Sequence, residues 1–159
     1  WSTFPGLWRH GDWVRCDPDG TWYILGRSDD TLNIAGKRIG PPEIEAALTE
    51  TGEVVDAAAI AAPDDIKGVA VVCVCVAAPN VSPGAELVNR LKDRVGEIVS
   101  KPFRPREIHF VEALPKTRSM KTMRRVVRAA FLGEDPGDLS SISNPETIQP
   151  IADLQKEKS

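Results

Sequence analysis

With 159 residues, 42% of them hydrophobic and 27% charged, the chain can bury one modest core and reads as a single compact domain with margins. A formal net charge of −3 argues against a general nucleic-acid-binding module. No apolar run reaches the length of a membrane span and no charged leader runs into an apolar stretch, so a cytoplasmic protein without membrane or nucleic-acid partners is the default expectation.

The chain opens on Trp1 rather than Met and enters a turn-rich, tryptophan-dense segment, which reads as a piece cut from something longer. Residues 13–16 and 21–25 flank the turn tetrapeptide Asp17-Pro-Asp-Gly20, predicting a β-hairpin with Trp13, Trp22 and Ile24 on its apolar face. Ser28-Asp-Asp-Thr31 reads as an exposed connection. Residues 41–50 have proline at the start, acids in the first turn and Ile44, Ala47 and Leu48 on one face, the signals of a short helix. Residues 54–61 and 69–78 read as buried strands, joined by a link too short for a parallel crossover. Leu87, Leu91, Val95 and Ile98 then mark a helix over 85–101 stopped by Pro102, and residues 107–111 give another strand.

Cys16, Cys73 and Cys75 form no disulfide framework. Alternation in Val71-Val-Cys-Val-Cys-Val76 places the sulfurs of Cys73 and Cys75 on one face of a buried strand, as core residues rather than a Cys-x-Cys metal pair, since no histidine lies nearby. No metal site is expected. His10 and His109 lie far apart, with no nucleophile motif near either, and read as structural.

Leu114-Pro-Lys-Thr-Arg-Ser-Met-Lys-Thr-Met-Arg-Arg125 reads as a rigid, cationic loop opening into an amphipathic helix. Pro115 restricts the backbone, Thr117 or Ser119 can cap the helix, and Met120, Met123, Val127 and Ala130 supply an apolar stripe. That places Lys121 in the first helical turn, ringed by Lys116, Arg118, Arg124, Arg125 and Arg128, where the N-terminus itself attracts anions. The alternative is a solvated basic helix face. In the tail, Asn144 can cap a short helix begun by Pro145, with Ile148, Ile151 and Leu154 on one side and Pro150 weakening it; residues 155–159 are expected to be disordered. The fold predicted is α+β: a mainly antiparallel sheet of about three strands covered by helices, preceded by a β-hairpin.

Taken together, Gly11-Asp12, Gly26-Arg-Ser-Asp-Asp30, Gly36-Lys-Arg-Ile39, Glu43-Ile-Glu45 and Pro115-Lys-Thr-Arg-Ser-Met-Lys121 resemble, in order and spacing, the C-terminal portion of the AMP-forming acyl-CoA synthetases, which belong to the adenylate-forming superfamily. The Asp138-Leu-Ser-Ser141 and Asn144-Pro145 pattern resembles the tails of its acetate- and propionate-type members. The resemblance implies residues 1–28 as the end of a large N-terminal domain and linker, residues 29–135 as a mobile C-terminal domain, and residues 136–159 as a partly disordered tail. It implies a ligase in which a carboxylate attacks the α-phosphate of ATP and coenzyme A then displaces AMP, with Mg2+ accompanying ATP in the parent enzyme.

On the same resemblance, Lys121 matches the lysine that catalyses adenylation, Asp12 the aspartate on the ribose hydroxyls, and Arg27 an arginine reaching the nucleotide from the domain boundary. Arg38 matches an arginine near nucleotide phosphate, with an ion pair to Glu43 or Glu45 as its structural alternative. Gly36 matches a glycine lying against the pantetheine arm of coenzyme A, and Asp29 the hinge about which the small domain turns. Met120 departs from the glycine usual before the lysine, which puts the efficiency of adenylation at issue. The partners implied are the N-terminal adenylation domain of the same chain, a carboxylic acid and coenzyme A, and a fragment alone is expected to be inactive. A stand-alone interaction module of the same fold and a peptide-synthetase adenylation subdomain are the alternatives.

Overall fold

A computed structural model describes residues 11–27, 30–34, 36–66 and 68–155. His10 and Asp29 lie outside the described residues, as do residues 156–159 and the side chains of Trp13 and Arg27.

The predicted hairpin forms from β1 (Asp12–Cys16) and β2 (Trp22–Arg27), with a bulge between Trp13 and Val14. Its turn closes where the Gly20 N–H donates to the Asp17 carbonyl at 2.9 Å, and Gly20 supplies the positive φ the turn needs. The apolar face is not buried: Trp22 is 68% exposed and Ile24 73%. A second, shorter hairpin follows, β3 (Leu32–Ile34) against β4 (Lys37–Ile39), with Leu32, Ile34 and Ile39 turned into the core.

Helix α1 (Pro41–Thr49) begins on the two prolines and buries Pro41, Ile44, Ala47 and Leu48, as the spacing predicts. Strands β5 (Val54–Asp64) and β6 (Gly68–Ala77) pair antiparallel. A bulge between Val54 and Asp56 puts Val54 on the same face as Ala57 and Ala59. Helix α2 (Ala85–Ile98) ends before the expected 101; Pro102 falls in a separate 3-10 turn, and Ile98 points outward at 53% exposure. This helix carries the chain across to β7 (Glu107–Phe110), which pairs with β6 in parallel. The three-stranded sheet, order β5-β6-β7, is therefore mainly antiparallel, as expected, with the shorter β6–β7 ladder parallel. The connection through α2 is long enough for that crossover, whereas the link between β5 and β6 is not.

Both faces of this sheet are covered. Ala57, Ala59, Val71, Cys73, Cys75 and Ile108 face α1, α2 and the β3–β4 hairpin. Ala58, Ile60, Val72 and Val74 face α3 (Arg124–Leu132) and α4 (Ile148–Asp153), with Phe131 and Ile151 fully buried between. Cys73 and Cys75 are buried thiols of the core, and Cys16 is exposed. His109 hydrogen-bonds Glu107 at 2.8 Å and lies against the Phe131 ring. Helix α3 stops at Gly133, whose φ of 69° lets Gly133 and Glu134 return their N–H groups to Ala130 and Ala129. Pro150 sits in the first turn of α4, where its missing N–H would have no partner within the helix.

Candidate functional site

The loop that carries Lys121 is anchored by buried Leu114 and Pro115 and then folds back on itself. Lys116 and Thr122 pair as an antiparallel bridge, and the Thr117 N–H donates to the Lys121 carbonyl at 2.9 Å. The Met120 N–H donates to the Thr117 carbonyl at 2.9 Å, closing a turn in which Met120 adopts φ 64°. The Thr117 hydroxyl accepts from the Lys121 N–H at 3.1 Å.

These bonds correct the expected placement of the lysine. Helix α3 starts only at Arg124, so Lys121 lies before it, on the exposed limb of a tight loop and not in the first turn. The backbone pairs as a hairpin through Thr122, and a left-handed residue at 120 is incompatible with a helix. Neither Thr117 nor Ser119 caps α3: Thr117 holds the loop, and Ser119 pairs with it at 3.0 Å. Met120 is 68% exposed and belongs to no apolar stripe; α3 instead buries Val126, Val127, Ala129, Ala130 and Phe131.

The expected ring of free cations is mostly neutralised. Lys116 pairs with Asp56 at 2.7 Å, and Arg128 pairs with Glu134 at 2.6 Å. Arg125 donates to the carbonyls of Pro136 and Asp138. Arg124 makes a two-pronged bond to Glu45, Nε to Oε1 at 2.6 Å and Nη2 to Oε2 at 2.5 Å, with Asp30 3.7 Å away. The Glu45 carboxylate raises the guanidinium pKa of Arg124, against the opposing effect of burial. Among the described residues of this segment, Arg118 and Lys121 are exposed and make no ion pair. An anion approaching Lys121 therefore has no internal partner to displace.

The other predicted residues lie on the two hairpins. Gly36 forms the turn between β3 and β4 with φ 77°, and the position a side chain would occupy meets no atom within 4 Å. That leaves the backbone open to close approach by a ligand. Arg38, opposite Asn33, is exposed because its neighbours Leu32, Ile34 and Ile39 take the buried face. Glu45, weighed as its partner, is engaged by Arg124. Asp12 and Arg27 face one another across β1 and β2. The structure thus joins Asp12 with Arg27 and Gly36 with Arg38, and leaves Lys121 on a third element.

A groove of about 480 Å³ between α3, β5 and residues 30–32 is lined by Asp30, Thr31, Pro41, Arg124, Arg125 and Arg128, and holds none of the predicted site residues. Two features escaped sequence reasoning: the Glu45–Arg124 pair and the bonds of Asn144 to the lysine loop. The Glu-Ile-Glu motif drew attention to Glu45, but nothing local named its partner.

Residues 43–121 match the family model described as AMP-binding enzyme C-terminal domain. The chain is 40% identical over 160 residues to a 3-hydroxypropionyl-coenzyme A synthetase of Metallosphaera sedula, which takes in 98% of this chain and 24% of that protein. It is 38% identical over 151 residues to an acetyl-coenzyme A synthetase of Methanothrix thermoacetophila, taking in 95% of this chain and 23% of that one. Among solved structures, acetoacetyl-CoA synthetase from Streptomyces lividans superposes with a TM-score of 0.81 at 27% identity, covering 99% of this chain and 24% of that chain. The chain spans about a quarter of the length of these relatives.

Proposed function

The chain belongs to the AMP-binding enzyme C-terminal domain family, and from that premise we propose that it is the mobile C-terminal part of an AMP-forming, short-chain acyl-CoA synthetase. In this reading residues 1–28 complete the large N-terminal adenylation domain, residues 29–135 form the small domain that turns about Asp29, and residues 136–159 are its tail. The substrates are a carboxylic acid, ATP and coenzyme A, in the cytoplasm. In this reading Mg2+ accompanies ATP in the full-length enzyme.

In the first step a carboxylate oxygen attacks the α-phosphorus of ATP and the α–β anhydride bond breaks, releasing pyrophosphate. Two anions must meet, and a fixed cation between them lowers the barrier. The observation that carries the assignment is that Lys121 is exposed and unpaired on a loop closed by its own backbone bonds. In the second step the coenzyme A sulfur attacks the acyl carbon and AMP leaves. Gly36 offers the pantetheine arm an open backbone, Arg38 serves phosphate, and Asp12 and Arg27 hold the nucleotide. A guanidinium suits phosphate, and a carboxylate suits paired hydroxyls.

The test is Lys121→Ala in the full-length enzyme, comparing acetate-dependent ATP–pyrophosphate exchange with thioester formation from pre-made acetyl-adenylate. Exchange should fall by about a hundredfold or more while thioester formation persists. Because Lys121 makes no ion pair and is exposed, its loss should move folding stability by no more than about 0.5 kcal/mol. Exchange that survives the substitution would mark the chain as an interaction module of the same fold.

A further inference from the structure

Resting on that reading, we propose that Asn144 is a positioning residue for Lys121, the clasp at the C-terminal end of a strap formed by residues 136–144. Lys121 has no side-chain partner of its own, so its placement depends on the backbone of its loop. That backbone is held from behind by the tail. The Asn144 carboxamide donates to the Leu114 carbonyl at 2.9 Å and accepts from the Lys116 N–H at 2.8 Å. The Ser143 N–H and hydroxyl both donate to the Lys116 carbonyl, at 2.8 and 3.0 Å. Ile142 bridges Thr117 antiparallel.

Residues 116–117 are therefore the middle rung of a miniature ladder, with 121–122 on one side and 142–143 on the other. The far end of the strap is tied to α3 by Arg125, which donates to the carbonyls of Pro136 and Asp138, and α4 seats Ile151 in the core beneath α3. The chemistry at 144 is demanding. Leu114 presents an acceptor and Lys116 a donor, so the side chain between them must offer both. Asparagine does; aspartate offers only acceptors, and alanine neither.

Positional error of about 1 Å in a catalytic group can cost about a hundredfold in rate. A clasp that sets the path of residues 114–117 therefore bears on adenylation, which uses Lys121, and not on thioester formation, which presents the Gly36 face.

The experiment uses the full-length enzyme with Asn144→Ala and Asn144→Asp, plus amide hydrogen exchange on the 159-residue chain. Asn144→Ala should lower acetate-dependent pyrophosphate exchange by about tenfold or more, with thioester formation from acetyl-adenylate within about twofold of wild type. Asn144→Asp keeps the acceptor for the Lys116 N–H and should fall between. Amides of Lys116 and Lys121 should exchange faster in Asn144→Ala and stay closer to the wild-type rate in Asn144→Asp, while those of β6 do not change. Equal loss in both half-reactions would make Asn144 a purely structural residue and overturn the proposal, as would unchanged pyrophosphate exchange or unchanged amide protection. If the wild-type enzyme itself shows no carboxylate-dependent exchange, the functional reading fails, and the amide measurement still decides whether the strap holds the loop.

Discussion

Glu45 offers the sharpest test of how this fold is held together. Its carboxylate is 12% exposed and serves three donors: Arg124 Nε and Nη2, and the backbone N–H of Ala59 at 3.0 Å on the outer edge of β5. Glu45→Ala orphans the Ala59 amide, a cost of about 1–3 kcal/mol for a buried donor. It also leaves Arg124, 18% exposed, with only Asp30 at 3.7 Å. Removing one partner of a fully buried pair costs about 3–5 kcal/mol, and the residual solvent and the remaining carboxylate reduce that here. A total near 3 kcal/mol is expected, which at a urea slope of about 2 kcal/mol/M lowers the midpoint by about 1.5 M. Far-UV circular dichroism is the right probe, because all four tryptophans lie at or before Trp22 and report the N-terminal segment instead. Glu45→Gln keeps an acceptor for Ala59 and should cost less than alanine. In a double-mutant cycle with Arg124→Met, a coupling of at least about 1 kcal/mol is expected. A loss below about 0.5 kcal/mol for Glu45→Ala, or a coupling near zero, refutes the reasoning.

The remaining predictions concern strain and thiols. Met120 holds φ 64° with a side chain that is 68% exposed, so glycine there relieves backbone strain while giving up little packing. After subtracting the greater freedom of unfolded glycine, Met120→Gly should stabilise by about 0.5–1 kcal/mol and raise Tm by about 1–4 °C; a lower Tm contradicts this. Cys16 should react with a thiol reagent in the native protein, whereas Cys73 and Cys75 should react only on unfolding, and native labelling of either would show that the core is not closed as described. Burial raises both core thiols, Cys75 to about 12. Raised folded-state values favour the neutral thiol, so their contribution is intact below about pH 8.5, where unfolded cysteine ionises, and declines above it. Unfolding midpoints measured from pH 7 to 10 should fall across that range, less so for a Cys73→Ala, Cys75→Ala double variant.

Much of this domain is written locally in its chain. Pro41, the i, i+3, i+4 spacing of Ile44, Ala47 and Leu48, and the alternation through Val71–Val76 specify α1 and β6 because helix starts and strand faces depend on neighbours a few residues away. The ordered motifs likewise carried family and candidate residues, since spacing is itself a property of the chain. Tertiary structure decided the rest. Whether a cation is free depends on which acid folding brings to it: Arg124 and Glu45 stand 79 positions apart, and Asn144 reaches Lys116 across 28. The start of α3 moved from the lysine to Arg124 because Thr117 bonds its own loop rather than capping a helix. Strand β7 could join β6 in parallel only because α2 crosses over the sheet, a choice no strand encodes alone. Period and capping are short-range, whereas charge pairing and strand order are settled by packing, and on this chain charge pairing engages Lys116, Arg124 and Arg128 while leaving Arg118 and Lys121 without an ion pair.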